Sequence, residues 1–294
     1  MVNNYSNAGH VFQLRLSARQ ANNLIVEQAR LLVSKLIKDR GHDKPPFLSE
    51  DFARLQGIKD ILPTNLRQAS AVLLRYADGY VIKVNNNHHP TRQNFSIAHE
   101  IGHLLFNELK LERYINSIEY RTFNPRAKAR TREKARERLC DIAARELLMP
   151  PEVFNKYLTS FGLSINSVEP LSHIFKTSIP ATAFRIAEVS SEPCLMLMWQ
   201  PFPVTNPKGL KLNRCVSSKP KIKAVPIHTL DKFPSSLSKA YDSNMSIKSK
   251  KQFRINNTIH TLPMESKSFS YGEYKYVLSI AFLNSLESGD SLAE

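Results

Sequence analysis

Two histidines and a glutamate lie inside an otherwise apolar segment, QNFSIAHEIGHLLF at residues 93–106. On a helix turning 100° per residue, His99 and His103 share one face, Glu100 lies beside them, and the apolar side chains occupy the other side. Two imidazoles one turn apart can ligate one zinc ion, and the glutamate can act as general base on the water that the metal activates. The HExxH pattern therefore predicts zinc-dependent hydrolysis. The alternative is a pair of core histidines bonded to backbone carbonyls.

A zinc site needs a third protein ligand, and a second amphipathic helix at residues 131–150, TREKARERLCDIAARELLMP, offers one. Glu137 and Asp141 fall on its apolar stripe, where unpaired carboxylates are costly. Glu137 would complete a His-His-Glu site, and Asp141 could accept a hydrogen bond from the far nitrogen of a ligating histidine. Two alternatives stay open. Glu137 could pair with a neighbouring Lys or Arg on the helix surface, and Glu133, one turn earlier, competes for the ligand position.

Three further residues with metal-binding side chains are expected to be structural. Cys140 lies on the same stripe as Glu137 and is predicted to be a buried thiol. His88 and His89 belong to the polar loop NNNHHPT, and that loop explains them.

The elements around the motif indicate an α+β fold. Apolar residues at helical spacing predict a helix at residues 21–39. Two β-type runs at residues 71–86 flank Asp78-Gly79 and predict a hairpin. Pro150 and Pro151 end the second helix of the metal site. A helical pair at residues 164–191 follows, and four β-type runs lie beyond it: CLMLMWQPF, LKLNRCV, KQFRIN and YKYVLSIAFL.

A shift in composition near residue 191 predicts the domain organisation. Residues 1–20 are expected to be a flexible arm, or an edge strand at residues 11–16. Residues 21–191 would form the zinc domain, and residues 192–294 a smaller, β-rich α+β domain for sensing or docking. The helical pair has a helix-turn-helix cadence around Thr177 and Ser178, and Arg185 would then face DNA. Packing of the pair against the zinc domain is the favoured alternative.

Charge and cysteine content restrict the setting. The formal net charge is +15, which indicates an acidic partner such as nucleic acid. The alternative is a basic, solvated surface that aids solubility. Three widely spaced cysteines do not form a disulfide framework. No leader and no apolar run of about 20 residues is seen, so we expect a cytoplasmic protein without membrane contact.

Together, FSIAHEIGHLLF and ERLCDIAARELLMP resemble the ImmA/IrrE family of metallopeptidases over about residues 60–190. The resemblance implies a zincin-like, gluzincin-type domain: a small sheet, the HExxH helix, a glutamate-bearing helix and a helical pair. It implies His99, His103 and Glu137 as zinc ligands and Glu100 as the catalytic glutamate. It also implies transcription regulation and stress response, since family members act on or beside helix-turn-helix repressors. The basic segment between His103 and Glu137 departs from the family pattern.

The expected function is a zinc endopeptidase that cleaves one intracellular transcriptional regulator and relieves repression. The strand GYVIKVNN is expected to offer its edge to the substrate. Candidates for stabilising the oxyanion are Tyr120, His173 and Arg185. The alternative is a DNA-binding or regulator-binding protein whose metal site is structural or weakly active.

Overall fold

The computed structural model describes residues 16–117, 125–202, 209–219, 222, 224–233 and 235–284. The helices are α1 Ala18–Arg40, α2 Ser49–Leu55, α3 Pro90–Glu108, α4 Glu112–Ser117, α5 Pro125–Leu148, α6 Pro151–Phe161, α7 Val168–Phe175, α8 Ile179–Val189 and α9 Ser236–Ser243. The strands are β1 Ile58–Thr64, β2 Ala71–Tyr76, β3 Gly79–Asn85, β4 Cys194–Pro201, β5 Gly209–Ser217, β6 Ala224–Pro226, β7 Leu230–Lys232, β8 Ile247–Ile255, β9 Thr258–Tyr271 and β10 Tyr274–Phe282. The predicted α+β class is confirmed.

The first sheet has three described strands in the order β1-β3-β2, with β1 parallel and β2 antiparallel to β3. The predicted hairpin of β2 and β3 is confirmed, although its two-residue loop is Ala77–Asp78 rather than Asp78-Gly79. Gly79 instead opens β3 with φ +144°, a conformation that favours glycine. The prediction that GYVIKVNN offers a free edge is wrong, because β3 lies between two partners. Among the described strands, the open edge that lies near α3 belongs to β2.

Local sequence explains where the long helices begin. Ser17 and Gln20 form a capping box, so α1 starts at Ala18, before the predicted period at residue 21. Helix α5 starts at Pro125, six residues before the predicted start at residue 131. Proline suits the first turn, and the Ala, Arg, Lys and Glu residues that follow are strong helix formers. Much of the basic segment between the two motifs is therefore helical.

The second sheet has seven described strands in the order β6-β8-β9-β10-β4-β5-β7, and each described pairing is antiparallel. The apolar run in β4 is continuous because both faces of the sheet are covered. Cys194 and Met196 join the core of the first part of the chain, whereas Leu195, Leu197 and Trp199 join a second core that α9 covers. Alternation along a strand thus sends neighbouring side chains into different cores.

The main core continues across residue 191. Tyr276, Leu278 and Ile280 of β10 pack in the same cluster as residues of α1, α3 and α5. The predicted boundary therefore coincides with a change of architecture rather than a break in packing. Separate folding of residues 192–294 stays a prediction, and the predicted strand at residues 11–16 lies almost wholly outside the described residues.

Helix α8 lies inside this core, packed on α7, β4 and β5. Its residues from Thr182 to Ala187 are all buried, so it cannot present side chains to a DNA groove. The helix-turn-helix interpretation of the pair is wrong, because burial and not spacing decides which face is available. Among the described residues, no helix is both long and apolar enough to cross a membrane.

Candidate metal centre

Helices α3 and α5 build the site because they approach each other unusually closely at Gly102. A Cβ added there would lie 2.9 Å from both Cα and the carbonyl oxygen of Cys140. Only glycine leaves room for this crossing, which offsets its cost of about 1 kcal/mol within a helix. The contact brings the turn of α5 that carries Glu137, Cys140 and Asp141 against the histidine face of α3.

Both histidines turn Nε2 toward the same carboxylate. Nε2 of His99 lies 3.0 Å from Oε2 of Glu137, and Nε2 of His103 lies 3.6 Å from Oε1. The imidazole rings are 5.0 Å apart and nearly perpendicular. The side chains of His99 and His103 are only 16% and 22% exposed, against 41% for Glu137, so the imidazoles are largely buried and solvent reaches the group from the carboxylate side.

The opposite nitrogens contact α5 one turn further on. Nδ1 of His99 lies 2.9 Å from Oδ1 of Asp141, and Nδ1 of His103 lies 3.3 Å from Sγ of the buried Cys140. Each imidazole is therefore held on both edges, with Nε2 directed to Glu137. Contacts of this kind fix the ring orientation and the tautomer of a histidine that binds a metal.

Glu100 lies beside this cluster and contacts the first sheet. Its Oε2 accepts a hydrogen bond from the backbone N–H of Leu73 in β2, with 3.1 Å between the atoms. Burial raises the pKa of Glu100 above its ordinary value, while the charge of His99 opposes that effect. A glutamate whose pKa is raised is a better proton acceptor for work near neutral pH.

The titration of the two histidines diverges. Burial lowers the pKa of His99, but the hydrogen bond and charge of Asp141 outweigh it, so that the pKa is raised overall. Burial, followed by the charge of His99, lowers the pKa of His103 to about 4. Burial likewise raises the pKa of Glu137. The carboxylates around the two imidazoles thus favour positive charge at this site, which a bound cation would also supply.

These side chains fit zinc, since two imidazole nitrogens and one carboxylate form a common catalytic ligand set. A second set is geometrically available, because ligand atoms of His99, His103 and Cys140 lie within 4.8 Å of one another. Cys140, however, contacts Nδ1 of His103, on the ring edge away from Glu137. Burial also raises the pKa of its thiol, which disfavours the thiolate form that binds metals.

Two other predicted candidates have partners of their own. Glu133 is exposed, forms an ion pair with Arg136 and shares a hydrogen bond with the side chain of Glu137, at the rim of the site. Arg185 is buried in contact with Glu146 and the carbonyl oxygen of Met149, so it is not available to an oxyanion.

Two of the residues predicted to stabilise an oxyanion, and one histidine of the polar loop, remain to be placed. His173 is exposed on α7, and Tyr120 lies outside the described residues. His89 caps α3, with its ring accepting a hydrogen bond from the N–H of Thr91.

Sequence reasoning missed two contacts of the site. The contact of Cys140 with His103 was detectable, because residues 137, 140 and 141 share one helix face. The hydrogen bond from Leu73 to Glu100 was not, because the order of strands in a sheet leaves no local mark in the sequence.

Known proteins resemble this chain over the region that holds the site. Residues 56–187 match the Peptidase_M78 family, described as the IrrE N-terminal-like domain. The radiation response metalloprotease IrrE of Deinococcus deserti is 29% identical over 116 residues, which are 40% of this chain and 39% of that protein. Its namesake in Deinococcus radiodurans is 28% identical over 121 residues, 41% of this chain and 35% of that protein. The match thus spans less than half of each relative.

A solved structure described as a Mycobacterium tuberculosis transcriptional regulator shares the fold. The likeness has a TM-score of 0.56 at 11% identity, and covers 94% of this chain and 86% of the other. It includes both the metal-site region and most of the second sheet. Residues 56–187 therefore carry an IrrE N-terminal-like domain, and over that region the predicted resemblance to the ImmA/IrrE metallopeptidases is confirmed.

Proposed function

We propose that this protein is a zinc-dependent endopeptidase that cleaves one intracellular transcriptional regulator and so relieves repression. The observation that carries the proposal is the convergence of two Nε2 atoms, from His99 and His103, on the carboxylate of Glu137, with Glu100 alongside. The match of residues 56–187 to the IrrE N-terminal-like domain and the names of the two Deinococcus relatives support the same chemistry.

In this proposal His99, His103 and Glu137 hold the zinc ion. Asp141 and Cys140 orient the two imidazoles through their Nδ1 atoms. When bound, the metal supplies Lewis-acid activation of water and of the peptide carbonyl. Glu100 takes the proton of the attacking water and passes it to the amine that leaves. Its raised pKa suits both transfers, because the carboxylate must first accept the proton and then release it.

The substrate enters along β2. This strand is an open edge of the described sheet, and it contacts Glu100 through Leu73. An extended peptide can add to such an edge by main-chain hydrogen bonds, which would place its carbonyl groups beside the metal ligands. We therefore propose that β2, and not its hairpin partner β3 in GYVIKVNN, receives the extended substrate.

The substrate class rests on three supports. The relatives are named as radiation response metalloproteases, and the protein that shares the fold is described as a transcriptional regulator. The net charge of +15 would concentrate the protein along DNA, where a helix-turn-helix regulator is bound. Any such attraction should weaken steeply with salt.

The first test is the metal content of purified variants. We expect one zinc per chain in the parent protein and in Glu100→Gln, and none in Glu137→Gln. Glu133→Gln tests the competing ligand, because Glu133 lies one turn away on the same helix, pairs with Arg136 and contacts the side chain of Glu137; it should keep its zinc. If Glu133→Gln loses the metal and Glu137→Gln retains it, the third ligand is Glu133 and the proposed assignment to Glu137 is wrong.

The second test separates catalysis from binding. Cells that express Glu100→Gln should accumulate one intact regulator, identified by mass spectrometry, while parent cells contain its fragments. Accumulation without any fragments in parent cells would favour the alternative, a regulator-binding protein with a structural metal. Broad changes across unrelated proteins would reject a single substrate.

A further inference from the structure

A groove of about 870 Å³ lies beside the metal centre, where three parts of the fold meet. Its walls are the first turns of α3, the turn between α7 and α8, and the end of the hairpin formed by β9 and β10. The metal chemistry proposed above leaves this groove unused.

The groove continues the face of α3 that carries the metal ligands. Arg92 and Phe95 line it, and they precede His99 by seven and four residues, which places all three on one side of the helix. The ring of Phe95 lies 6.5 Å from the ring of His99. Seven helical residues span roughly 10 Å, the length of about three residues of extended peptide. A peptide at the metal therefore reaches the groove about three residues from its scissile bond.

Aromatic side chains form the floor and rim. The rings of Phe269 and Tyr276 are stacked and buried, with centroids 6.2 Å apart. Tyr271 and Tyr274, at the tip of the hairpin, remain 57% and 46% exposed. Exposed tyrosines above a buried aromatic floor are typical of surfaces that receive a partner's apolar side chain.

The groove also carries unpaired positive charge. Arg92 and Lys176 are exposed on different walls and form no ion pair within the described residues, although Arg92 donates a hydrogen bond to Oγ of Ser70. Among the described lining residues the one acidic side chain is Glu169, and it is neutralised by Lys267 across 3.0 Å. A ligand with an acidic group next to an apolar one would complement this arrangement.

We propose that this groove is a specificity subsite for the peptide substrate. It would take an aromatic side chain with an acidic neighbour, about three residues from the bond that is cut. The inference rests on the proposed function, and it adds a sequence preference to it. Single-stranded nucleic acid fits less well, because a backbone of phosphates needs a row of cations and this groove has two free ones.

Binding of labelled peptides tests the subsite without turnover. The protein is zinc-loaded Glu100→Gln, and the readout is fluorescence anisotropy. The probes are 12-residue Gly/Ser peptides with a central Phe-Asp-Phe-Asp, Ser-Asp-Ser-Asp or Phe-Lys-Phe-Lys, together with a 12-nucleotide oligothymidylate. We expect the Phe-Asp peptide to bind about tenfold more tightly than the other peptides, since one well-placed anchor or charge is worth roughly this factor.

Variants in the groove should remove this preference. Tyr274→Ala should reduce affinity for the Phe-Asp peptide about tenfold, and Arg92→Glu should reverse the preference for Asp over Lys. Matched controls are Phe161→Ala, an exposed aromatic on α6, and Lys248→Glu, whose side chain is 85% exposed on β8. Equal affinity for all peptides, tighter binding of the oligonucleotide, or no effect of the groove variants would overturn the subsite.

The same assay keeps the two proposals apart. Glu137→Gln protein, expected to lack zinc, should still select the Phe-Asp peptide, because the groove contains no metal ligand. Selective binding by a chain that never cleaves any protein would reject the peptidase and leave the groove as a peptide site. Cleavage of a regulator without any preference for the Phe-Asp peptide would support the peptidase and reject the subsite.

Discussion

Replacing Gly102 with alanine tests how the site is assembled. The new Cβ would lie 2.9 Å from two backbone atoms of Cys140, whereas ordinary contact starts at 3.4 Å. Since both neighbours are backbone, helices α3 and α5 must separate by about 0.5 Å. Metal sites tolerate about 0.2 Å in their ligand distances. The separation therefore moves Glu137 out of reach of a proper zinc geometry without changing any ligand.

The stability effect should be small by comparison. Crowding in a packed core costs about 1–3 kcal/mol, and alanine recovers about 1 kcal/mol of helix propensity. The net loss is about 0–2 kcal/mol in urea unfolding of the metal-free protein. Zinc affinity, measured by competition with a chromophoric chelator, should fall roughly 10–100-fold, as it does when the support of a ligand is disturbed.

Asn107→Ala is the matched control, because Asn107 is exposed on the same helix and gains propensity without a neighbour. It should be as stable as the parent protein or slightly more so, with unchanged zinc affinity. If Gly102→Ala binds zinc as tightly as Asn107→Ala, the close crossing of α3 and α5 does not set the ligand geometry.

Substitutions at three further residues test the surroundings of the site. Asp141→Asn should weaken zinc binding roughly 10–100-fold in the chelator assay; parent-like affinity would reduce Asp141 to a surface residue. Cys140→Ala should weaken zinc binding while Cys140→Ser restores it, and the cobalt-substituted parent should lack a sulfur-to-metal charge-transfer band; such a band would make Cys140 a ligand. Arg185→Met should lower the free energy of unfolding by about 1–3 kcal/mol, since the buried carbonyl of Met149 loses its donor while Glu146 keeps Arg30 as a partner, yet leave zinc affinity unchanged; a clear loss of zinc affinity would show that Arg185 supports the site.

Much of the candidate metal centre was predictable because helical periodicity determines which of its residues share a face. The spacing of His99 and His103, and of Glu137 and Asp141, places each pair on one helix face. The close crossing at Gly102 was also foreseeable, because a glycine in a helix interior is costly without a reason.

Other elements escaped because their stabilising contacts are distant in sequence. Strand β9, the longest, contains Pro263 and alternating polar residues, and only its pairing with β8 and β10 makes it a strand. The burial of Arg185 depends on Glu146 from another helix. The sequence alone therefore did not show that Arg185, a candidate for DNA contact or oxyanion stabilisation, is buried with a charged partner.

The hydrogen bond from Leu73 to Glu100 couples the open edge of β2 to the proposed proton acceptor. Under the proposed mechanism, a peptide that adds to this edge competes with Glu100 for the same N–H. Removing a hydrogen bond to a charged group costs about 1.5–3 kcal/mol, and the hydrogen bonds of the new strand pairing must offset this cost. The proton acceptor would thus be released only as the substrate docks. Short peptides that fail to pair with β2 would leave Glu100 bonded to Leu73 and unable to accept the proton. The enzyme would then discriminate between peptides by turnover rate as well as by affinity.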